Sequence, residues 1–165
     1  MIDDQARILG IETSCDETAA AVLQGPRQVL SSVVSSQIDL HAQFGGVVPE
    51  IAGRAHVELA VPVVAEAVVG AGLTEGDIDA VAATVGPGLI GSLLVGVSTA
   101  KALALTWGVP FVGVNHLEAH LYAAGLENPE VEPPFVTLLV SGGHTLLVAT
   151  EAYGEHRVLG STIDD

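Results

Sequence analysis

Two histidines, His116 and His120, lie four residues apart in the segment "VNHLEAHLYA" (114–123). On a helix, residues at this spacing project from the same face, so both imidazoles could bind one ion. Two imidazoles suit zinc or iron, with one or two further ligands from elsewhere. The alternative is a pair of histidines that cap the helix or face water. Glu118 would project from the opposite face, so it is a poor ligand for the same ion.

The metallopeptidase pattern H-E-x-x-H is absent from this segment. Its glutamate, which serves as the general base, would occupy position 117, where the sequence has Leu117. A peptidase built on the two histidines would therefore lack its usual base.

Two polar turns carry the other groups that could do chemistry. The turn "SCDET" (14–18) presents Asp16 and Glu17, and adjacent carboxylates can orient a metal, a water or a nucleophile. In "SGGH" (141–144) two glycines lie between apolar runs, where backbone N–H groups can converge on a phosphate oxygen. A solvated turn and an ordinary tight hairpin are the respective alternatives.

Small residues recur every four positions in "GPGLIGSLLVGVSTA" (86–100), at Gly88, Ser92, Gly96 and Ala100. On a helix they form a smooth face that another element can approach closely. A phosphate-binding loop is the alternative, but the Lys-Ser/Thr pair of a Walker motif does not follow. The pattern therefore favours helix packing, either inside the fold or with a partner.

The elements that would position these residues follow an α/β pattern. Apolar runs and their periodicity predict strands at 7–14, 18–24, 27–37, 79–85 and 109–114. They predict helices at 50–69, at 89–107 and from Asn115, which is a good N-cap. Pro62 should kink or interrupt the first of these helices. Three strands followed by alternating helices and strands are typical of a layered α/β fold.

The C-terminal part of the chain repeats the opening. After the acidic, proline-rich segment 125–134, two apolar strands again flank an S-x-x-x-T turn, so that Ser141–Thr145 matches Ser14–Thr18. Such duplication implies two similar lobes whose paired turns would enclose one ligand. We expect a first lobe at 1–128, a linker at 129–134 and a truncated start of the second lobe at 135–165.

Composition limits the classes of function. Apolar residues make up 49% of the chain and charged residues 15%, which suggests that an apolar face meets a partner or a missing part of the molecule. Five basic against 20 acidic residues give a net charge of −15, so this chain alone should repel a nucleic acid. The uncharged segment 80–100 is broken by "GPG", which disfavours a membrane span. One cysteine and no signal peptide indicate the cytoplasm.

Five ordered motifs carry a resemblance to a known family. They are "GIETSCDETAAAV", "HAQFGGVVPEIAGRAHVE", "GPGLIGSLLVGVSTAKALA", "NHLEAH" and "LVSGGHT". Together they resemble the N-terminal half of the universal tRNA threonylcarbamoyltransferase family, TsaD in bacteria, formerly called the glycoprotease family. The resemblance covers essentially the whole chain. It implies the duplicated actin-like ATPase or ribonuclease H-like α/β fold, with the first lobe and the first three strands of the second.

The resemblance also implies a reaction and its residues. Family members transfer the threonylcarbamoyl group from threonylcarbamoyl-adenylate to the exocyclic amine of the adenosine next to the anticodon, in tRNAs reading codons that begin with A. His116 and His120 would bind one iron or zinc ion, with an aspartate beyond Asp165 as third ligand. The adenylate loop would comprise Leu139, Val140, Ser141, Gly142 and Gly143. Asp16, Glu17 and His144 would act near the reacting centre.

Partners follow from the resemblance as well. Family members work with a paralogous actin-like subunit and a small ATPase, and tRNA would bind through that complex. A homodimer is an alternative assembly. This chain alone should bind metal weakly and be inactive. A glycoprotease-type metallopeptidase, an actin-like ATPase or kinase, and a non-catalytic scaffold remain alternatives, although a pure scaffold has no use for "HLEAH" or "SGGHT".

Overall fold

The structure is a computed structural model of the 165-residue chain, and it describes residues 3–128, 130–141 and 145–162. The chain forms two compact units, Met1–His116 and Leu117–Asp165. This division follows compactness, whereas the predicted lobes and linker follow the sequence repeat. The predicted lobe boundaries therefore stay a prediction.

The first unit is a five-stranded mixed sheet with helices packed against it. Its strands are β1 (Arg7–Glu12), β2 (Glu17–Gln24), β3 (Gln28–Ser36), β4 (Ala80–Gly86) and β5 (Phe111–Asn115). Its helices are α1 (Ile38–Ala42), α2 (Pro49–Gly70) and α3 (Ile90–Trp107), with a 3-10 turn at Glu75–Asp77. The sheet order is β3-β2-β1-β4-β5. β1 to β3 pair antiparallel, and β4 and β5 run parallel to β1.

The core of this unit lies between the sheet and the two long helices. α2 packs against β2, β3 and α3, and α3 packs against β1 and β4. Alternate residues of each central strand point inward, as the two-residue period of a strand requires. The buried apolar cluster includes Leu9, Ile11, Ala20, Val22, Val63, Val64, Ala67, Val81, Ala83 and Ala100. The small size of many of these side chains allows helices and sheet to approach closely.

The small-residue face of α3 is an internal packing face. Ser92, Gly96 and Ala100 are buried, and the Thr13 hydroxyl donates to the Ser92 carbonyl over 2.8 Å. A Cβ at Gly96 would overlap the Thr13 side chain, so only glycine fits there. The internal alternative is therefore correct, and the same face is not a docking surface. The bare side of α3 instead carries Ile90 and Leu105, which are 88% and 84% exposed.

Two local predictions for the helices differ from what is observed. α2 runs without a break through Pro62, so the predicted interruption is wrong. Pro62 lies on the exposed side of the helix. The short helix α1 was not predicted because its five residues offer too little periodicity.

In the described part of the chain, α3 is the one helix whose length and composition would allow it to cross a membrane. Its packing against β1 and β4 gives it a place in the core of the first unit.

The second unit repeats the opening of the first. It contains most of α4 (His116–Glu127), followed by β6 (Phe135–Val140), β7 (Thr145–Ala152) and β8 (Glu155–Thr162). The three strands form an antiparallel sheet in sequence order, β6-β7-β8, as β1, β2 and β3 do. The predicted duplication is therefore present in the strand pairing as well as in the sequence. Within this unit Tyr122 of α4 stacks edge-on against Phe135, with ring centroids 6.5 Å apart.

Candidate functional site

Three parallel strands bring polar residues to one edge of the first sheet. β1 ends at Glu12, β4 runs through Thr84 to Gly86, and β5 ends immediately before His116. The carboxyl ends of parallel strands meet at the same edge, which is where open α/β sheets place their ligands. Glu12, Thr84 and His116 are therefore neighbours in space, although the sequence separates them widely.

The imidazole of His116 is held through its Nδ1 atom. Nδ1 lies 3.2 Å from Glu12 Oε2 and 3.3 Å from Ser14 Oγ. An ionised carboxylate can only accept, so the proton of His116 lies on Nδ1 and the lone pair on Nε2. A metal-binding histidine commonly donates its second ring N–H to a carboxylate in this way. If an ion binds His116, this contact favours Nε2 as the ligand atom.

Glu12 is itself held in the ionised form. Its Oε1 accepts the Ser14 backbone N–H and its Oε2 accepts the Thr84 hydroxyl, each at 2.5 Å. Burial alone would raise the pKa of this carboxyl, but the hydrogen bonds from Thr84, Ser14 and His116 outweigh it and lower the pKa. Glu12 is thus a fixed acceptor at neutral pH and not a general acid.

The same contacts exclude a serine hydrolase relay at this cluster. In a Ser-His-Asp or Ser-His-Glu triad, the hydroxyl and the carboxylate engage opposite ring nitrogens of the histidine. Here Ser14 and Glu12 both lie against Nδ1 of His116. A proton cannot pass through the imidazole from one to the other. The arrangement orients the histidine and does not activate Ser14 as a nucleophile.

Ser14 is fixed by the loop that precedes α3. Its carbonyl accepts the Leu89 N–H at 2.8 Å, and a Cβ added to Gly88 would lie 2.6 Å from that carbonyl oxygen. Only glycine permits this approach, which explains the second glycine of the "GPG" motif. The loop 86–89 therefore helps to set the position of Ser14 beside His116.

The predicted catalytic carboxylates lie on the turn that follows Ser14. Asp16 is half-buried and Glu17 is exposed at the start of β2. The fully buried His56 of α2 lies beneath them, with Nε2 3.0 Å from the Cys15 carbonyl and Nδ1 2.7 Å from the Thr18 hydroxyl. This turn is consequently held by side chains of the core and is more than a solvated loop.

Cys15 on the same turn is a poor nucleophile. Its thiol is exposed, but partial burial and the neighbouring Asp16 carboxylate both raise its pKa. The thiolate is the reactive form of cysteine, and these surroundings disfavour it.

The other predicted residues lie in or next to the second unit. His120 is exposed and lies in α4 (His116–Glu127), the helix that begins at His116. Leu139 and Val140 end β6, and Ser141 follows at an exposed position. Gly142, Gly143 and His144 lie outside the described residues. Val140 at the end of β6 pairs with Thr145 at the start of β7.

A metal centre on His116 and His120 stays a prediction. Across residues 3–128, 130–141 and 145–162, no group of three or more His, Cys, Asp or Glu side chains comes together as an ion site. His116 nevertheless suits a metal because its Nδ1 is engaged by a carboxylate. An iron or zinc ion on His116 and His120 would need ligands from beyond this set.

Sequence reasoning missed Glu12 and His56. Glu12 is a carboxylate at the carboxyl end of an otherwise apolar strand, and His56 occupies a buried position in α2. A buried polar residue in an apolar run was the available signal, since such residues need specific partners. The identity of those partners depends on contacts across the fold, which no local pattern reveals.

Comparison with known proteins identifies the family of the chain. The family model for TsaD, tRNA N6-adenosine threonylcarbamoyltransferase, matches residues 28–165. A curated relative of that name from Pelobacter propionicus is 60% identical over 158 residues, which are 96% of this chain and 46% of the relative. One from Clostridium perfringens is 55% identical over 162 residues, 98% of this chain and 48% of the relative. The chain thus spans about half the length of the curated relatives it matches.

Solved structures show the fold. YeaZ from Pseudomonas aeruginosa superposes with a TM-score of 0.61 at 19% identity, covering 96% of this chain and 67% of that one. The ethanolamine utilization protein EutJ from Carboxydothermus hydrogenoformans gives a TM-score of 0.54 at 11% identity, covering 98% and 53%. The predicted actin-like, duplicated α/β fold is confirmed. Because the family model matches most of the chain, this chain belongs to the TsaD family of tRNA N6-adenosine threonylcarbamoyltransferases.

Proposed function

We propose that this chain supplies the N-terminal half of an enzyme that transfers a threonylcarbamoyl group to tRNA. The donor is threonylcarbamoyl-adenylate, and the acceptor is the exocyclic amine of the adenosine next to the anticodon in tRNAs reading codons that begin with A. The observation that carries the proposal is the 60% identity over 158 residues to a relative of that name. Because the chain spans about half of that relative, the activity belongs to the longer protein.

The reaction is an acyl transfer. The acceptor amine forms a bond to the carbamoyl carbon, the bond from that carbon to the phosphate oxygen breaks, and the amine loses a proton. AMP leaves with the bonding electron pair. Such a step needs a polarised carbonyl, a stabilised leaving phosphate and a group that accepts the proton.

His116 and His120 would hold one iron or zinc ion through Nε2, as the Glu12 contact to Nδ1 of His116 favours. When bound, the ion would supply Lewis acidity toward the carbamoyl carbonyl or the threonyl carboxylate. The role of Glu12 is to hold the imidazole in one tautomer and orientation. Ser14 supports the same orientation from the neighbouring turn.

The two turns would serve the substrate. Backbone N–H groups of the segment from Leu139 to Gly143 would hold the leaving phosphate. His144 would act beside them. Asp16 or Glu17 would accept the proton of the amine or align the acceptor base. Their turn is held by His56, so it can present these carboxylates in a fixed position.

An apolar surface between α2 and α3 supports the proposal that a protein partner binds this chain. A groove of about 370 Å³ runs between these helices and is lined by Val61, Val69, Leu103 and Trp107, among others. Val61 and Val69 are 70% and 74% exposed, so they extend the apolar surface beside the groove. We assign this surface to the paralogous actin-like subunit or to a second copy of the chain. The complex would also include the small ATPase.

The charge of the chain agrees with assembly. With a net charge of −15, this chain would repel tRNA. The basic surface that binds tRNA must therefore come from a partner or from the rest of the enzyme. A tRNA-modifying enzyme of this kind would work in the cytoplasm.

The metallopeptidase alternative receives no support from the described site. Leu117 occupies the position of the missing base, and the Ser14–His116–Glu12 contacts do not form a hydrolytic relay. Cleavage of a glycoprotein that is lost in a His116→Ala variant would favour the peptidase over the transferase.

The proposal is tested by transfer of labelled threonine to tRNA with the full-length protein and its partners. We expect His116→Ala/His120→Ala to lose at least about 100-fold in rate, since a bound metal contributes several kcal/mol. His156→Ala, which removes a histidine of β8 outside the motif, is the matched control and should keep most activity. Full activity of the double variant would refute the metal assignment, and no transfer by the unaltered complex would refute the function.

A further inference from the structure

We infer that a hydrogen-bonded chain of buried side chains, the histidine relay, fixes the conformation of the Ser14–Thr18 turn. The relay runs from the Val48 N–H through His41, Gln37 and His56. It deepens the proposed function, on which its catalytic meaning rests, because the turn carries Asp16 and Glu17. Its members are positioning residues, and the relay itself can be tested without any substrate.

The direction of the relay is set at its first bond. The Val48 backbone N–H lies 3.3 Å from His41 Nδ1, and a backbone N–H can only donate. Nδ1 of His41 must therefore carry the lone pair, and the proton lies on Nε2. That N–H donates to Gln37 Oε1 over 3.1 Å.

Donors and acceptors can be assigned in the same way from Gln37 to His56. With its oxygen occupied by His41, the Gln37 amide turns its Nε2 toward His56 Nδ1, at 3.4 Å. The Thr18 hydroxyl donates to the same nitrogen at 2.7 Å. His56 Nε2 lies 3.0 Å from the Cys15 carbonyl, which can only accept. Both ends of His56 thus require the proton on Nε2, in agreement with His41.

The side chains of the relay are buried, so each of them depends on its hydrogen-bond partners within the relay. Gln37 and His41 are each 3% exposed, Thr18 is 1% exposed and His56 is 0% exposed. A buried polar group that loses its partner is left without water to replace it. Reversing the bonds of the relay would therefore leave a mismatch at its backbone ends, where the Val48 N–H can only donate and the Cys15 carbonyl can only accept. The relay has one consistent arrangement of its protons.

The relay and the backbone beside it donate to two consecutive carbonyls of the turn. His56 donates to the Cys15 carbonyl, and the Gln37 backbone N–H donates to the Asp16 carbonyl at 2.9 Å. The Thr18 hydroxyl fixes the far end of the turn. The backbone that carries Asp16 and Glu17 is thereby held against the core from one side. The two carboxylates project from a segment with little freedom to rotate.

The first test measures tautomers in the unaltered 165-residue chain. Long-range ¹H–¹⁵N spectra of ¹⁵N-histidine-labelled protein distinguish protonated from unprotonated ring nitrogens. We expect both His41 and His56 to carry the proton on Nε2 and to have an unprotonated Nδ1. A proton on Nδ1 of either residue would overturn the relay, and this result needs no variant to fold.

The second test compares Thr18→Val, which keeps the shape but removes the hydroxyl, with Thr18→Ser, which keeps it. The probe is hydrogen exchange of the Gln37 amide, which donates to Asp16, with the Val81 amide of β4 as reference. Loss of one buried hydrogen bond should accelerate Gln37 exchange about 10-fold in Thr18→Val. The Val81 amide should change less than about twofold, and Thr18→Ser should restore slow exchange at Gln37.

Equal acceleration at Gln37 and Val81 in Thr18→Val would show a general loss of stability and would contradict a local positioning role. Unchanged Gln37 exchange in that variant would contradict it as well. Neither readout depends on tRNA or adenylate. A negative result in the transfer assay would therefore not contradict the relay. A negative result in the tautomer or exchange measurements would not contradict the proposed transfer reaction.

Discussion

Replacing Glu12 by Gln tests whether this carboxylate prepares His116 for a metal ion. Glutamine has the same shape, and its amide oxygen can still accept the Ser14 N–H that Glu12 Oε1 accepts. What is lost is the negative charge and the acceptor that faces His116 Nδ1 at 3.2 Å. The amide NH2 of the glutamine would face His116 Nδ1 and donate to it, which would move the imidazole proton to Nε2 and make Nε2 a weaker ligand.

The expected magnitude follows from the geometry. Loss of such an outer partner of a metal-binding histidine typically reduces affinity by about 10–100-fold, or about 1.4–2.8 kcal/mol. The side chains of His116 and Glu12 are 30% and 33% exposed, so solvent screens part of the interaction. We therefore expect a reduction near the lower end, about 10-fold.

The assay is competition for zinc with a chromophoric chelator at constant pH and ionic strength. Glu118→Gln is the matched control, because it also removes one carboxylate. Glu118 lies in α4, the helix of His116, and pairs with His156 at 3.1 Å. Circular dichroism would establish that both variants are folded. Equal losses in the two variants would show that net charge alone is responsible, and an unchanged affinity in Glu12→Gln would refute the assigned role.

Three further predictions concern packing, pH and assembly. Gly96→Ala should destabilise the fold by about 1–3 kcal/mol in urea unfolding, since its Cβ would overlap Thr13, whereas Gly91→Ala, whose Cβ meets nothing within 4 Å, should not. The lowered pKa of Glu12 means that its contribution to stability is present above its ordinary pKa and is lost as pH falls through the folded-state value. Between about pH 5 and about pH 3 the unaltered chain should thus lose more unfolding free energy than Glu12→Gln, and parallel pH curves would contradict this. Val61→Glu should weaken binding of the paralogous subunit at least about 10-fold in calorimetry, while Val136→Glu, an exposed valine of β6, should not; equal effects would argue against the α2–α3 surface.

The sequence predicted the main elements because each has a strong local signal. The strand pairs and α3 follow directly from apolar periodicity, and the duplication is visible in the S-x-x-x-T turns. Asn115 was predicted as an N-cap, and α4 begins at the next residue. The predicted interruption at Pro62 was wrong because a long packed helix can accommodate a proline on its exposed side when tertiary contacts outweigh local propensity.

The candidate site was predictable only in part. Spacing placed His116 and His120 on one helix face, and motif resemblance supplied Asp16 and Glu17. The Glu12–His116 contact joins residues 104 positions apart, and the Thr18–His56 contact joins residues 38 apart. Such contacts arise from the parallel alignment of β1, β4 and β5 and from the packing of α2 on β2, which no local pattern specifies.

We propose that an ion held by the imidazoles of His116 and His120 takes part in the chemistry, and that Glu12 orients the His116 ring. The most direct measurement is anomalous X-ray diffraction from crystals of the full-length protein, recorded at the absorption edges of zinc and iron. We expect one anomalous peak about 2.0–2.1 Å from Nε2 of both His116 and His120. A peak bound through Nδ1 of His116, or metal elsewhere with both imidazoles unliganded, would contradict it.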